Sequence, residues 1–524
     1  MLLGLIVFLV LVVVLFSLPV VQTYLATIIT NEINKTYKTN ILIDKVDFSY
    51  LGKIQLKGIH INDYRHNKMI DVAKLSTSIF SYKMAYNNKL NFDNIKVSNV
   101  YLNMVTYKGE TNDNLSIFIE KFDDQPSTTG QPSSFLMTAK NIHLEQGNFY
   151  LSDFNFDDKP LAYYKQLNGD LKRFKIKGPN VSVNIRNLTF IEDHGLEVKK
   201  LDTDFEYTLT GMQFHNSELK TETSSLNFDL NFDYDRNNLK YFYDSVQVKA
   251  SIKKSLLSMP DLKHFYNEID GNQQLTIYAQ MKGTLNDFEL NQVDLKSSTK
   301  VYFKGKMRLI NSFKVKAPFK LETDIESLAA NAHKLKQLLP NLIGKNLPDA
   351  TNVLGDFLVI GKTDITKNTI NTQSQIKSAL GKITLNMDFG AIADLEQTNY
   401  KGILALENFK LGKVIKDTLV GYLSLIASID GRGMTFKSLN TSVKANISKH
   451  QYKAYTYNKI DLDGVFKYKK FTGKLVSIDD NLKLAIQGEA DFSQKQYRYD
   501  FNTNIDFVNF NALNLYTKDK NFIV

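Results

Sequence analysis

Cysteine and tryptophan are absent from this chain of 524 residues, and proline occurs only nine times. Without cysteine there is no disulfide framework, no thiolate metal site and no lipidated N-terminal cysteine, so attachment to a membrane must be made by the polypeptide itself. The eight histidines, at 60, 66, 143, 194, 215, 264, 333 and 450, include no i, i+4 pair that sets two imidazoles on one helix face. No metal and no cofactor are expected. Gly-x-Ser-x-Gly and P-loop spacings are also missing, and the acidic pairs Asp123-Asp124, Asp157-Asp158 and Asp479-Asp480 read as turn residues. No catalytic residue is assigned, and the chain is not expected to be an enzyme.

Blocks of like charge are lacking too. The formal charge of +10 comes from 65 basic and 55 acidic residues scattered along the chain, which names no partner. Lysines are dispersed and form no basic stripe beside an aromatic platform, so nucleic-acid binding is not expected. What is abundant is apolar surface: 43% of residues are hydrophobic and 12% aromatic, too many for a disordered chain.

The apolar residues fall into two regimes. From Leu2 to Val21 about twenty residues carry no charge, enough for a helix to cross a hydrocarbon core of roughly 30 Å. Residues 1–21 are therefore expected to be a transmembrane helix, with Leu5, Phe8, Leu11, Val14, Leu18 and Val21 as membrane anchor. A cleaved signal peptide is the competing reading, but its basic leader and small-residue cleavage site are not evident. Residues 22–38 continue as an amphipathic juxtamembrane helix through Tyr24, Leu25, Ile28, Ile29 and Ile33, with Pro19 expected to kink the junction. Lys35 and Lys38 follow the span, a weak charge signal for a cytoplasmic body.

After Asn40 the apolar period drops from 3.6 to 2. In the clearest run, Leu226, Phe228, Leu230, Phe232 and Tyr234 alternate with Asn227, Asp229, Asn231, Asp233 and Asp235. The same alternation marks Val181 to Ile185, Leu275 to Met281, Leu482-Lys-Leu484-Ala-Ile486 and Phe501-Asn-Thr503-Asn-Ile505-Asp-Phe507. Each run makes a strand with one oily side. Turns are expected at Lys57-Gly58, Asn168-Gly169, Asp270-Gly271, Lys282-Gly283, Asp430-Gly431, Asp463-Gly464 and Gln487-Gly488. Helices are expected only over Ser255–Ile269, broken by Pro260, and Ser327–Leu339, ended by Pro340. The expected class is mainly β, an elongated, curled antiparallel sheet with few short helices.

Residues 123–134 (DDQPSTTGQPSS) read as a linker between a first β module, 39–122, and a longer β region, 135–524, with a further sub-boundary near 340–348. The runs NILIDKVDFSYLGKIQLKGIHINDY (40–64) and MIDVAKLSTSIFSYKMAYNNKLNFDNIKVSNVYLNM (69–104) resemble the opening module of AsmA-like, TamB-type cell-envelope proteins. YKGILALENFKLGKVIKDTLVGYLSLIASIDGRG (400–433) and YTYNKIDLDGVFKYKKFTGKLVSIDDNLKLAIQGEADF (455–492) resemble the repeated β segments of long members. Residues 513–524 resemble a strand cut short, so a truncated member is expected. The resemblance implies an inner-membrane anchor, a periplasmic body and an apolar β-groove, and it overrules the charge signal. It also implies a role in outer-membrane biogenesis, by conducting phospholipid between membranes or by assisting insertion of a barrel partner.

A one-sided sheet must bury its oily side by packing on itself, curling, or admitting a ligand. With acyl chains as the ligand, the expected lining is Leu226, Phe228, Leu230, Phe232, Tyr234, Leu482, Leu484, Ile486, Phe501, Ile505 and Phe507. A dry sandwich, a sheet edge that pairs with a partner strand, and an outer-membrane barrel are the alternatives.

Overall fold

The computed structural model describes residues 19–48, 53–79, 89–121, 136–155, 160, 162–177, 180–235, 241–265, 271–312, 317–338, 349–435, 437–494, 496–516 and 523. The chain divides into two units, Met1–Leu257 and Ser258–Val524. Expected anchor residues Leu5, Phe8, Leu11, Val14 and Leu18, the linker 123–134 and the sub-boundary 340–348 lie outside the described residues.

The first unit is a sheet of β1 (Asn40–Phe48), β2 (Lys53–Asn62), β3 (Lys68–Ile79), β4 (Lys89–Thr106), β5 (Leu136–Asp153), β6 (Ala162–Lys177), β7 (Asn180–Glu192), β8 (Glu197–Thr208), β9 (Gly211–Lys220), β10 (Ser225–Asp233) and β11 (Gln247–Ser258). Each strand pairs with the next in sequence. All these pairs are antiparallel except β4–β5, which is parallel and is joined through a crossover holding α2 (Asn114–Glu120).

The second unit contains β12 (Gln274–Gly283), β13 (Asp287–Ser297), β14 (Tyr302–Ile310), β15 (Lys320–Asn331), β16 (Asp356–Thr366), β17 (Thr369–Ser378), β18 (Gly381–Gly390), β19 (Asn399–Phe409), β20 (Val420–Arg432), β21 (Asn440–Tyr452), β22 (Tyr455–Lys467), β23 (Lys470–Asp479), β24 (Leu482–Asp491) and β25 (Arg498–Val508). Every neighbouring pair is antiparallel. The protein is thus mainly β, with a long antiparallel sheet and few helices.

Helix α1 (Pro19–Tyr37) occupies the expected juxtamembrane segment and lies against β1, the edge strand of the first unit. Val46 N–H donates to Thr23 Oγ1 at 3.0 Å, and that hydroxyl donates to Val46 O at 3.3 Å. Farther along, Asn34 mimics a peptide group: its Nδ2 donates to Ile41 O at 2.7 Å and its Oδ1 accepts from Ile41 N at 2.8 Å. Helix and strand run antiparallel, and their rises match, since eleven helical residues and five extended ones each cover about 16 Å. Side chains thereby satisfy edge groups that would otherwise invite another strand.

Two expectations change. Gly58, Gly169, Gly431, Gly464 and Gly488 are not hairpin turns; they lie inside β2, β6, β20, β22 and β24. A Cβ on Gly473, also inside a strand, would stand 2.6 Å from Gly464 Cα and 2.7 Å from the Phe471 ring. Glycine here allows backbone and an aromatic ring to approach closely. The expected helices also shrink, because β11 runs to Ser258 before α4 (Met259–Lys263), and β15 runs to Asn331 before α5 (Ala332–Leu338). Alternation persisted into residues whose composition also suits a helix, and pairing decided. The other described helices are α3 (Phe242–Ser245), α6 (Leu411–Ile415) and a 3-10 turn, Asp349–Leu354.

Bulges recur, and they share a device. Gln146, Asn187 and Asn216 adopt positive φ of 54°, 52° and 52° within strands. Each places its N–H on a side chain of the next strand: Gln146 on Asn168 Oδ1 at 2.9 Å, Asn187 on Asp202 Oδ1 at 2.6 Å, Asn216 on Asp229 Oδ1 at 2.8 Å. A bulged residue leaves the ladder, so its donor needs such a substitute partner.

Candidate functional site on the apolar sheet face

Cross-strand register in the second unit aligns a row of side chains through all fourteen strands, from β12 to β25. It runs Ile277, Leu295, Phe303, Leu328, Val359, Ile376, Ile383, Leu406, Leu425, Ile447, Ile460, Ser477, Leu484, Ile505. Ser477 is its one polar member, and its hydroxyl is spent on Leu482 O at 2.8 Å. Most of the row is half-buried. A second row beside it carries Leu385, Leu404, Ala427, Ala445, Leu462, Leu475 and Ile486. At one end the oily face is closed by the chain itself, where Leu513, fully buried, joins Tyr457, Ile460 and Val508 with Leu482 and Phe510 packed against them.

The first unit has a corresponding row. Ile54, Thr77, Ile95, Ile142, Leu171, Ile185 and Thr203 align across β2 to β8, and Ser217, Phe228 and Ile252 align across β9 to β11. Thr203 and Ser217 join the two runs through their hydroxyls. Ile95, Ala139 and Ile142 form its buried cluster, with Leu171 and Phe174 against it.

Of the expected lining, Leu226, Phe228, Leu230 and Phe232 share one side of β10, opposite Leu219, Ser217, Phe214 and Met212, and all four are half-buried. Phe232 lies between Phe214 and Phe242, with ring centroids 6.3 and 5.7 Å away. Tyr234 is buried just past the strand, and its hydroxyl donates to Thr208 O at 3.0 Å. Leu482, Leu484 and Ile486 sit on β24, half-buried, while Phe501 and Ile505 on β25 are exposed. The register slips between Leu484 and Lys483, so Phe507 stands opposite Lys483 and Val508 opposite Leu482. That bulge turns Phe507 to the other side of the strand and brings Val508 inward. The β10 set and the β24–β25 set belong to different units.

On the opposite face of β19–β23 lies an open depression of about 720 Å³, lined by Ile403, Ile426, Lys444, Asn446, Asp461, Asp463, Lys474 and Val476 among others. Lys444 and Asp463 pair across it at 3.3 Å. Its lining also takes in Ala445 and Leu462 of the second row and none of the first.

Two polar clusters escaped the sequence reading because their members are brought together by register or by a turn. His60 on β2 bridges Asp71 on β3 at 3.0 Å and Asp44 on β1 at 3.2 Å, and these bonds raise its pKa above the ordinary imidazole value. At the β7–β8 turn, His194 Nδ1 lies 2.6 Å from Glu192 and 2.8 Å from Asp193. The ligand atoms of these three residues fall within 4.8 Å of one another. Burial and the neighbouring Asp193 push the Glu192 carboxyl up, and Glu192 in turn raises His194. The three consecutive residues satisfy one another, and nothing beyond that marks a ligand site.

Among the described residues no helix is long and apolar enough to cross a membrane. No family model, curated protein or solved structure matches this chain.

Proposed function

We propose that the protein conducts phospholipid between membranes along the apolar face of a curled sheet. In this reading it is anchored in the inner membrane by its N-terminal run, stands in the periplasm and serves outer-membrane biogenesis, as its resemblance to TamB-type proteins implies. The observation that carries the proposal is the aligned apolar row from Ile277 to Ile505. At roughly 4.8 Å between strands it extends on the order of 60 Å along the sheet, and most of its side chains are only half-buried.

Two acyl chains hold about 30 methylenes at about 0.8 kcal/mol each, so unaided passage through water meets a barrier on the order of 25 kcal/mol. A row that presents hydrocarbon at every strand but β23 keeps most of that burial throughout the passage. Transfer becomes a series of nearly level steps, and no residue has to perform chemistry.

The test places two carboxylates on neighbouring row positions, Leu425→Asp with Ile447→Asp, in full-length protein. Ile426→Asp, on the other face, is the control for folding. Transfer of labelled phospholipid between vesicles is expected to fall to the protein-free rate in the double variant and to persist in the control, with bound phospholipid lost in native mass spectrometry. Undiminished transfer by a folded double variant would sink the proposal.

One observation favours a second reading, assembly by strand pairing with a barrel partner. Among the described residues β25 pairs along its length only with β24, and nearly all of it is exposed. β1, by contrast, is capped by α1. Crosslinks from a partner confined to β25 would support assembly; crosslinks to lipid along the row support transport.

A further inference from the structure

Among the described side chains of helix α1 the buried ones are polar, and three exposed ones in its first half are large and apolar. Gln22 and Thr30 are buried at 5% and 8% exposure, and Thr23 and Asn34 are turned to β1, while Val20, Tyr24 and Ile28 stand 80%, 68% and 50% exposed. These three recur at i, i+4 and i+8 and make one outward stripe. Farther along the same side the stripe turns polar, at Glu32 and then Lys35, both exposed. An apolar stripe two turns long, set next to the uncharged run Leu2–Leu18, has a natural cover in the lipid that such a run would occupy.

We propose that Val20, Tyr24 and Ile28 lie in the interfacial layer of a phospholipid bilayer, and that α1, through Thr23, holds the Val46 end of β1 against that surface. This deepens the reading above and rests on its membrane anchor. The direction follows from the pairing. Thr23, on the apolar half of the helix, bonds Val46, whereas Asn34, on the polar half, bonds Ile41. The β1 end that leads to β2 therefore faces the lipid, and the end at Asn40 faces water. On the neighbouring strand the lipid-side end begins with Lys53, which is exposed, and Val46 pairs with Leu56 there. Lys53 stands at headgroup level, where its charge suits an anionic phospholipid. His66, past the far end of β2, lies roughly 30 Å away along the strand direction. Leu56 aligns with Leu75, Val97 and Leu144, so the oily side of the first unit begins at the bilayer surface, where an acyl chain can enter it without crossing water.

Because the chain has no cysteine, single-cysteine variants carry one label each. Val20→Cys, Tyr24→Cys, Ile28→Cys, Glu32→Cys, Lys53→Cys and His66→Cys of the full chain would each bear a polarity-sensitive fluorophore in phosphatidylethanolamine–phosphatidylglycerol vesicles. Quenching by acyl-brominated phospholipid is expected several-fold stronger at 20, 24 and 28 than at 32. A headgroup-attached spin label is expected to quench at 53 and not at 66. Vesicle flotation of the same samples separates the two readings. Protein that floats while positions 20, 24 and 28 stay unquenched overturns this inference and leaves the anchor intact; protein that does not float overturns both. Equal headgroup quenching at 53 and 66 overturns the placement of β1.

Discussion

Thr203 on β8 and Ser217 on β9 face each other with hydroxyl oxygens 2.8 Å apart, both buried, in the middle of a mostly apolar row. Thr203 also donates toward His215 O at 3.3 Å. Ser217 relies on Thr203, whereas Thr203 keeps a second partner in His215 O. Thr203→Val is expected to destabilise by about 1–2 kcal/mol, since the buried Ser217 hydroxyl loses its partner, and Ser217→Ala by less, since Thr203 keeps His215 O. The double variant should lose less than the sum. Denaturant midpoints of the four proteins give the coupling, and strict additivity would rule the pairing out as a source of stability.

Thr77 shows the opposite case. It lies in the same row between Ile54 and Ile95, and its Oγ1 is buried with no hydrogen-bond partner among the described residues. Thr77→Val keeps the shape and removes the orphan, so a gain of about 1 kcal/mol is expected. A lower melting temperature in the variant would show that the hydroxyl is satisfied in solution.

The bulge anchors make a third prediction. Asp202→Ala removes the acceptor for the exposed Asn187 amide and should destabilise by about 0.5–1.5 kcal/mol, while Asp202→Asn keeps an oxygen there and should lose less. Amide hydrogen exchange at Asn187 should accelerate in the alanine variant and much less in the asparagine one.

The His60 cluster predicts a pH dependence. The hydrogen bonds that His60 donates to Asp71 and then Asp44 raise its pKa, so its contribution to stability is complete below the unfolded value of 6.5 and fades as pH rises through the folded pKa. Asp71 behaves in reverse. Burial works against its ionisation, yet Lys68 and His60 together hold it below 3.8, so its contribution is present above that value and fades as pH falls through the lowered one. The melting temperature of His60→Gln should lie below that of the parent near pH 6 and approach it by pH 9. A gap that stays constant over that range would mean the imidazole charge is not used.

Much of the strand content could be read from alternation. The runs at Leu226, Leu275, Leu482 and Phe501 all fall in strands, because period 2 depends only on the chain's own pleat. Glycine misled for a physical reason: the same residue that permits a turn also permits close approach within a sheet, as at Gly464 and Gly473 beneath Phe471. Bulges hide in sequence, since Asn187 and Asn216 look like any polar residue of a strand. Their positive φ appears only when a neighbouring Asp accepts the freed amide.

By itself the sequence determined that this is a β-rich chain with oily-sided strands, that it holds no thiol chemistry, and that its first twenty residues carry no charge. Those properties belong to single residues and their immediate neighbours. Which oily sides would align, where the Ile277-to-Ile505 row would run, that Phe507 would leave it and Val508 enter, and that Val20, Tyr24 and Ile28 of α1 would face outward were decided by tertiary structure. Register is a relation between strands, and one extra residue in a bulge reverses which face every later side chain takes.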